Sequence, residues 1–449
     1  MTERQERRPE TLSGRRINRR DFLKIGGAGL AGAALLGVAG CGGGGGGGSS
    51  GGSGDIVFAM GPDTSGSLQK LIDKFNKENK GKYSVKYRKM PTDTGQFFDK
   101  IRTQFQSGGG DIDVIGGDVI WPAQFAANGW ISDVSDKLSD SERSKFLDGP
   151  IASMTYQGKL YGIPWYTDAG MLYYRKDLLQ KSGFNEAPKT WDELKSMAKK
   201  VVQDSGTKAG FVWQGSQYEG GVVDGLEYIN SYGGKVLDPS DASKVVIDSP
   251  DSVKGLAMAA SMIPDGVSPQ AVTNYTEQES QTAFLNGEAV FCRNWPYMYA
   301  LVGNPDESKI KTDQVSVAPL PAGSAGSVSG LGGWNFYINA ASQKQDAAIA
   351  FAKFMADPEQ QKYRALNGSF LPTLKSLYDD KEILDAVPVI ALAGEALANT
   401  VPRPVSPAYS DMSLKMAEQF NKAFKGDVSP EDALKTLQTD LQQIADQAS

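Results

Sequence analysis

Apolar residues recur along the chain at two different intervals. A short apolar run at Ile56 predicts a buried strand, and the positions from Leu68 to Phe75 that follow it repeat at the helical interval. Residues 83–87 alternate like a second strand, and residues 112–115 indicate a third, with helical spacing between the two. This β-α-β-α-β order predicts an open sheet covered by helices, which is an α/β fold.

The alternation of helices and strands continues to the C-terminal end of the chain. Thr190 followed by Glu193 predicts a capping box at the start of a helix. A further helix runs from about Asp346 to Asp357, and the last helix is predicted to begin at Pro430. Since 449 residues are too many for one compact core, we expect two lobes.

Residues 1–40 carry a pattern typical of export rather than of a folded domain. Arg19 and Arg20 precede Phe-Leu-Lys, which matches a twin-arginine signal. The apolar stretch that follows is too short and too rich in glycine for a membrane span of about 20 residues. Cys41 follows a run of small residues that resembles a lipoprotein-processing box, although a degenerate signal with a chance cysteine is the alternative. Residues 42–54 are all Gly or Ser, which predicts a flexible linker.

Composition excludes several classes of function. The formal net charge of −6 argues against a nucleic-acid partner, because phosphate binding needs clustered basic residues. The sequence has no histidine, which removes the Ser-His-Asp triad, the Cys-His pair and nearly all zinc sites, so we expect no cofactor and no metal. Beyond Cys41 the only cysteine is Cys292, whose apolar surroundings predict a buried thiol rather than a nucleophile.

Aromatic residues are concentrated in five motifs that also carry polar groups and that follow or border strand-like runs. In open α/β sheets, ligands bind outside the carboxyl ends of the strands, so these loops are expected to converge on one cleft. The C–H face of a pyranose packs on an aromatic ring, while its hydroxyls need fixed donors and acceptors. The motifs are Gly117–Trp121, Pro164–Asp168, Trp213–Glu219, Asn294–Tyr297 and Gly332–Asn335.

Structural interpretations compete with the ligand interpretation at several of these positions. Trp121 and Trp165 are equally consistent with core packing, and Asp118 and Asp168 are also consistent with capping of helices or turns. Arg403 lies between two prolines and has no helix to decorate, which favours a positioned arginine over a solvated one.

Several ordered segments together resemble the solute-binding proteins of sugar ABC importers, and among them the trehalose/maltose-binding proteins. The resemblance covers nearly everything from Asp55 to Ser449. It implies a bilobal periplasmic-binding-protein fold, in which two open sheet domains are joined by a hinge of three crossings. The segments are residues 161–178, 210–220, 293–297, 317–321, 331–334 and 401–405.

The resemblance also implies the organisation and the partners of the chain. After a signal peptide at 1–40 and the lipidated Cys41 with its linker at 41–54, the first lobe would comprise 55–163 plus 319–367. The second lobe would comprise 164–318 plus 368–449. The expected partners are a sugar and an ABC permease with its ATPase, and the expected form is a monomer held to the outer face of the bacterial cell membrane by its lipid.

Ligand-binding residues are implied by position in the matching motifs. The sequence departs from these relatives in two places. Phe97 and Phe98 occupy the position at which the relatives carry an arginine that reaches the sugar. In the loop where the relatives place an acidic contact, Asp63 or Thr64 would substitute for it. The other implied ligand residues are Asp118, Tyr166, Asp168, Glu219, Trp295, Tyr297, Gly332, Gly333, Trp334 and Arg403.

The resulting hypothesis is a receptor that closes its lobes over a gluco-disaccharide of the trehalose or maltose type and alters no bond in it. One alternative keeps the binding fold and changes the cargo to a peptide, a polyamine or another small polar solute. A second alternative is a surface glycoside hydrolase that uses Asp118 and Asp168 as its carboxylate pair.

Overall fold

The computed structural model describes residues 54–448. The predicted signal peptide, Cys41 and the linker through residue 53 lie outside the described residues. The strands are β1 (Gly54–Met60), β2 (Tyr83–Lys89), β3 (Val114–Asp118), β4 (Thr155–Tyr156), β5 (Lys159–Leu160), β6 (Ile163–Ala169), β7 (Met171–Arg175), β8 (Ala209–Val212), β9 (Leu237–Asp238), β10 (Asp241–Val245), β11 (Ala289–Asn294), β12 (Val315–Pro319), β13 (Ser329–Ile338), β14 (Leu371–Pro372) and β15 (Thr400–Val401).

Helices of very different lengths connect these strands. They are α1 (Ser67–Glu78), α2 (Thr94–Gln106), α3 (Pro122–Ala127), α4 (Asp140–Arg143), α5 (Asp148–Ser153), α6 (Lys176–Lys181), α7 (Trp191–Ser205), α8 (Glu219–Ser231), α9 (Pro250–Ser261), α10 (Glu277–Leu285), α11 (Gln345–Ala356), α12 (Pro358–Gly368), α13 (Lys381–Ala386), α14 (Pro388–Ala398), α15 (Tyr409–Lys425) and α16 (Pro430–Ala448). Among the described residues, no helix combines the length and the apolar character that a membrane crossing requires.

Two separate sheets form the centres of two lobes. The seven-stranded sheet has the order β14-β6-β13-β3-β1-β2, and β15 pairs with β13 beside this path. In it, β1 pairs in parallel with β2 and β3, whereas β13 runs antiparallel to β3 and β6. The second sheet has the order β12-β7-β11-β8. The bilobal α/β fold predicted from the sequence is therefore confirmed.

The chain passes between the two sheets three times. The first passage is at Gly170, between β6 and β7, and the second lies between β12 and β13. The third follows β15, which pairs with β13, and leads to α15, which packs against α8 and α16. These passages give the predicted hinge of three crossings its positions in the chain.

Strand pairing shifts two of the predicted lobe bounds. The prediction put the first crossing at residue 164, but β6 pairs with β13 in the seven-stranded sheet, so the chain changes sheet at Gly170. Likewise β14, assigned to the second lobe, pairs with β6. Both strands are buried along almost their whole length, and the polar residues Thr167 and Asp168 come before the passage, so the sequence pattern does not mark the change of sheet at Gly170. A Cβ at Gly170 would lie 2.1 Å from Glu227 Oε1, which explains why glycine occupies the passage.

Each lobe has its own aromatic core. In the first lobe, the rings of Phe58 and Phe351 lie 5.2 Å apart. In the second, Trp191 stacks on Tyr228 at 4.1 Å. Cys292 is fully buried on β11, as its apolar surroundings predicted.

Most predicted helices are confirmed, with one local correction. The helices predicted around Leu68, Asp346 and Pro430 correspond to α1, α11 and α16. At the start of α7, Thr190 accepts the N–H of Glu193 at 3.2 Å. The carboxylate of Glu193 accepts the N–H of Lys189 at 2.6 Å rather than that of Thr190, so the predicted capping box forms by only one of its two bonds.

Candidate functional site

A cavity of about 380 Å³ is lined by residues from both lobes. This volume lies in the range of about 300–1,000 Å³ that small-molecule sites occupy. The ends of β3 and β11, the middle of β13 and the start of α8 contribute side chains to it. Every ligand residue implied by the sequence lines this one cavity: Asp63, Thr64, Asp118, Tyr166, Asp168, Glu219, Trp295, Tyr297, Gly332, Gly333, Trp334 and Arg403.

Trp295 provides an aromatic face that is held from three directions. Its Nε1 donates to Glu277 Oε1 at 3.3 Å, and the guanidinium of Arg293 lies 4.0 Å from the ring centroid. A Cβ at Gly332 would lie 2.9 Å from the ring, so glycine at this position lets the indole approach β13. The ring is thus fixed before any ligand arrives, which lowers the entropy cost of stacking.

Arg293 belongs to a buried charge cluster beneath Trp295. Its Nη2 donates to Glu227 Oε1 at 2.6 Å, and its Nε lies 3.1 Å from Asp224 Oδ1. Glu227 Oε1 also accepts the backbone N–H of Gly330 at 2.9 Å, in the segment that enters β13. The cluster therefore connects the base of the aromatic wall with one of the passages between the sheets.

Trp334 forms a second aromatic face, and Phe97 supports it from behind. The rings of Phe97 and Trp334 stack with centroids 5.9 Å apart, and Trp121 meets Trp334 edge-on at 5.7 Å. Phe97 is fully buried, and Phe98 stacks on Phe125. Phe97 thus gives apolar support to Trp334, and Trp121 has the core role that its alternative interpretation predicted.

Arg403 joins carboxylates from the two lobes. Its Nη2 donates to Asp118 Oδ1 at 2.9 Å, and its Nη1 donates to Glu219 Oε1 at 2.7 Å. Asp118 ends β3 in the first lobe, whereas Glu219 begins α8 in the second. Burial alone would lower the pKa of Arg403, but these carboxylates raise it. Arg403 is therefore a charged bridge across the cleft.

Glu219 lines the cavity with a carboxylate that the protein already occupies. Tyr409 donates to Oε1 at 2.7 Å, beside the bond from Arg403, and the Ser413 hydroxyl donates to Oε2. With these donors in place, we expect Glu219 to position Arg403 rather than to contact a ligand.

Asp168 has the opposite environment. Its Oδ1 is buried and has no hydrogen-bond partner within the part of the chain that the structure describes. Burial, with the nearby charge of Asp118, raises the pKa of Asp168 well above its usual range. Trp165, on the same strand, packs on Phe336 at 4.6 Å, yet its Nε1 is also buried without a partner among the described residues. Both residues line the cavity.

The loop after β1 supplies a weaker pair of candidates. Asp63 Oδ2 accepts the N–H of Leu68 at 2.8 Å and its Oδ1 accepts the Ser65 hydroxyl at 2.8 Å, so this carboxylate holds the start of α1. Thr64 is exposed at the cavity margin. Gly333 has φ +123°, and a Cβ there would lie 2.5 Å from the Tyr166 carbonyl oxygen, so its part in the site is to permit this backbone path.

Three charged residues that line the cavity were not predicted from the sequence: Glu277, Glu307 and Arg364. Glu277, at the start of α10, accepts from Trp295 Nε1 and, at 2.7 Å, from the Tyr218 hydroxyl. Arg364, on α12, lies against the ring of Phe370. Thr276-Glu-Gln-Glu279 reads as an ordinary helix start, and the motif around Arg364 reads as an ordinary surface helix, so neither sequence segment indicated a ligand site.

Several known proteins are similar to this chain in sequence and in fold. Residues 61–362 match the family described as bacterial extracellular solute-binding protein. A probable ABC transporter-binding protein from Deinococcus radiodurans is 35% identical over 370 residues, covering 80% of this chain and 86% of its own. Maltose-bound MalE3 from T. maritima is 40% identical with a TM-score of 0.81, covering 87% of this chain and 99% of its own. The GacH receptor of Streptomyces glaucescens, solved unliganded and with acarbose, is 26% identical with a TM-score of 0.77, covering 88% and 100%.

The chain belongs to the bacterial extracellular solute-binding protein family. Its relatives include binding proteins of ABC transporters, and its fold is that of the bilobal MalE-type proteins. The resemblance seen in the sequence is thereby confirmed, and the family's extracellular description indicates that the protein acts outside the cytoplasm.

Proposed function

We propose that this protein is the substrate-binding lipoprotein of a carbohydrate ABC importer and captures a gluco-disaccharide of the maltose or trehalose type. The observation that carries the proposal is the pairing, in one cavity, of fixed indole faces with buried polar atoms that lack a partner among the described residues. Trp295 and Trp334 offer the faces, and Asp168 offers an acceptor. A sugar ring has an apolar face and a polar edge, and it matches both.

The proposed ligand residues act from both lobes. On the first-lobe side we assign Asp63, Thr64, Asp118, Tyr166 and Asp168, and on the second-lobe side Trp295 and Tyr297. Between the two lobes, the proposed ligand contacts are the backbone of Gly332 and Gly333, the ring of Trp334, and Arg403. Glu219 supports Arg403. Contacts to both lobes exist together only when the lobes are closed, so the ligand favours closure by the free energy of those contacts.

Similar proteins support this ligand class. MalE3 of T. maritima was solved with maltose bound, and the GacH receptor with acarbose. Since MalE3 is 40% identical to this chain over most of its length, a maltose-like ligand is the natural first test.

Calorimetric titration with a panel of mono- and disaccharides tests the proposal. We expect saturable binding of maltose or trehalose and much weaker binding of monosaccharides, which offer fewer hydroxyls and a smaller apolar face. A peptide and a polyamine belong in the same panel, because binding of either, with no sugar bound, would establish the alternative cargo. No binding of any sugar would refute the proposal.

Incubation of the protein with maltose or trehalose separates binding from hydrolysis. The hydrolase alternative needs Asp118 and Asp168 as a working pair, and the raised pKa of the buried Asp168 is what such a pair requires of its general acid. Because the chain belongs to a solute-binding family, we nevertheless expect no product, even after prolonged incubation. Any turnover that is lost in Asp168→Asn would favour the hydrolase.

We also propose that the protein is exported by the twin-arginine route and anchored through lipid on Cys41, with residues 42–54 as a tether. The mature protein would be a monomer that delivers its sugar to the permease and its ATPase. Mass measurement of the N-terminal peptide from membranes tests the anchor. We expect a lipid-modified Cys41, and release of Cys41→Ser from the membrane fraction.

A further inference from the structure

Arg364 lies in the wall of the cavity between aromatic rings. It belongs to α12, is 3% exposed, and lines the cavity together with Trp165 and Tyr166. Its guanidinium lies 4.0 Å from the ring centroid of Phe370, 4.4 Å from that of Trp165 and 5.3 Å from that of Tyr166. Rings at these distances restrict the plane of the guanidinium and therefore the directions of its N–H groups.

Arg364 is the exception among the buried arginines of the described chain. Arg175 pairs with Asp177 at 2.7 Å, Arg293 with Glu227 at 2.6 Å, and Arg403 with Asp118 and Glu219. For Arg364, Nε and Nη1 are buried and have no hydrogen-bond partner within residues 54–448. A buried charge without a hydrogen-bonded partner is costly to the folded state, so an arginine here destabilises the empty protein unless a ligand completes its bonds.

The unpartnered groups beside Arg364 are of complementary kinds. Trp165 Nε1 is a donor and Asp168 Oδ1 is an acceptor, and both line the same cavity as Arg364. A hydroxyl accepts from a guanidinium or an indole N–H and donates to a carboxylate, so a polyhydroxylated ligand satisfies all three. Nε and Nη1 lie on different edges of the guanidinium plane, so their N–H groups need two different acceptors.

The charges around Arg364 disfavour an anionic ligand. The acidic residues Asp63, Asp118, Asp168 and Glu277 all line the cavity. Burial lowers the pKa of Arg364, while the nearby Asp63 and Asp168 oppose this decrease. A ligand carboxylate or phosphate placed on Arg364 would be repelled by the nearby charge of Asp63.

We infer that Arg364 is a ligand-binding and specificity-determining residue, which donates to two hydroxyls of a neutral sugar while Asp168 accepts from a third hydroxyl. This inference rests on the proposed function, because it assigns a role within the same cavity. It defines a subsite formed by Trp165, Tyr166, Asp168, Arg364 and Phe370, and this subsite recognises hydroxyl groups through donors that the apo protein leaves free.

Arg364→Met tests the inference, because methionine keeps an apolar chain between the rings and removes every donor. Calorimetry with the best-binding sugar of the panel is expected to show binding that is weaker by about 10- to 100-fold. The unliganded variant is expected to melt at the same temperature as the unmodified protein or higher, since an unpaired buried charge is lost. Arg102→Met is the matched control, because Arg102 also lies over a ring, that of Phe98 at 5.6 Å, but is exposed and outside the cavity lining.

The outcomes separate this inference from the proposed function. If the unmodified protein binds no sugar, the proposed function fails. If the unmodified protein binds a sugar and Arg364→Met binds the same sugar equally well, only the inference fails. A lower melting temperature of Arg364→Met with unchanged affinity would show that Arg364 serves packing. Tighter binding of glucose 6-phosphate or a uronic acid than of neutral sugars would also overturn the hydroxyl assignment.

A second measurement tests the inference if Arg364→Met does not fold. Monodeoxy analogues of the sugar are titrated against the unmodified protein and against Arg364→Lys. We expect the unmodified protein to bind at least one analogue about tenfold more weakly than the parent sugar. For Arg364→Lys, the affinities of the parent sugar and of that analogue should differ only slightly. Full affinity of every analogue, or equal losses in both proteins, would overturn the inference.

Discussion

The two arginines that line the cavity differ in how their charges are satisfied. Arg403 donates to Asp118 and Glu219, so the protein itself neutralises it across the two lobes. Arg364 is equally buried, but its Nε and Nη1 have no partner among the described residues. Carboxylates of both lobes therefore neutralise one arginine, whereas the other keeps N–H groups for which we propose a ligand as the partner.

This difference shows that cavity lining alone does not identify a ligand contact. Glu219 and Asp63 line the cavity, yet their oxygens are occupied by protein donors. Asp168 and Trp165 line it with buried atoms that have no protein partner in the described part of the chain. Unsatisfied buried groups cost free energy, so their presence in a cavity indicates what the cavity binds.

The largest effect is expected for Arg403→Met. Removing the guanidinium leaves two buried carboxylates without their cation, which should lower the free energy of unfolding by about 3–5 kcal/mol. Denaturant unfolding of the unliganded protein measures it. Arg102→Met, which breaks an exposed pair with Asp99, is the control and should change stability by less than about 1 kcal/mol. A stable Arg403→Met protein would remove the contrast between the two arginines.

Trp295→Ala should weaken sugar binding by about 2–3 kcal/mol, or about 30- to 150-fold, through the lost stacking face. Titration calorimetry gives the ratio. Trp130→Ala is the control: Trp130 packs on Phe105 at 5.3 Å outside the cavity lining, so its loss should leave affinity unchanged. Equal affinity of Trp295→Ala and the unmodified protein would move the ligand away from this wall.

Trp334→Ala should also weaken binding, with an added cost in stability. Its ring contacts Phe97 and Trp121, so truncation opens a void beside the first-lobe core and lowers the free energy of unfolding by about 2 kcal/mol. Thermal melts and titrations of the same preparation separate the two losses. A variant that loses stability but keeps full affinity would limit Trp334 to packing.

Glu277→Gln should weaken binding by about 1 kcal/mol, or about fivefold, because an amide has only one oxygen for the two donors that now reach the carboxylate. Titration of the variant beside Glu288→Gln measures it. Glu288 pairs with Lys208 at the surface and should have no effect on affinity. An unchanged Glu277→Gln affinity would show that Trp295 is held without this bond.

An effect that depends on pH is expected for Asp168→Asn in the unliganded protein. The pKa of Asp168 is raised in the folded state, so above pH about 4 the unfolded chain loses this proton while the folded chain keeps it. The folded state then binds more protons, and its stability falls as pH rises. The melting temperature of Asp168→Asn relative to the unmodified protein should therefore increase from pH about 4 to pH about 7. A constant difference across this range would contradict the assignment of Asp168 as an unpartnered carboxyl.

The prediction of the fold from the sequence succeeded where local patterns carried the information. The helical interval from Leu68 to Phe75 corresponds to α1, and the alternation at residues 83–87 lies in β2. The sequence pattern through Gly170 concealed the change of sheet, because buried strands of both sheets read alike.

The amino-acid sequence alone was enough to indicate the α/β class, the export pattern and the motifs that meet in the cleft, because each depends on residues close together in the chain. The sequence alone could not show which charged residues pair with one another. Arg403 and Asp118 are 285 positions apart, and Arg364 looks like any arginine of an amphipathic helix. Which buried charge is neutralised and which keeps N–H groups without a partner depends on distances across the folded lobes, and the three-dimensional packing sets those distances.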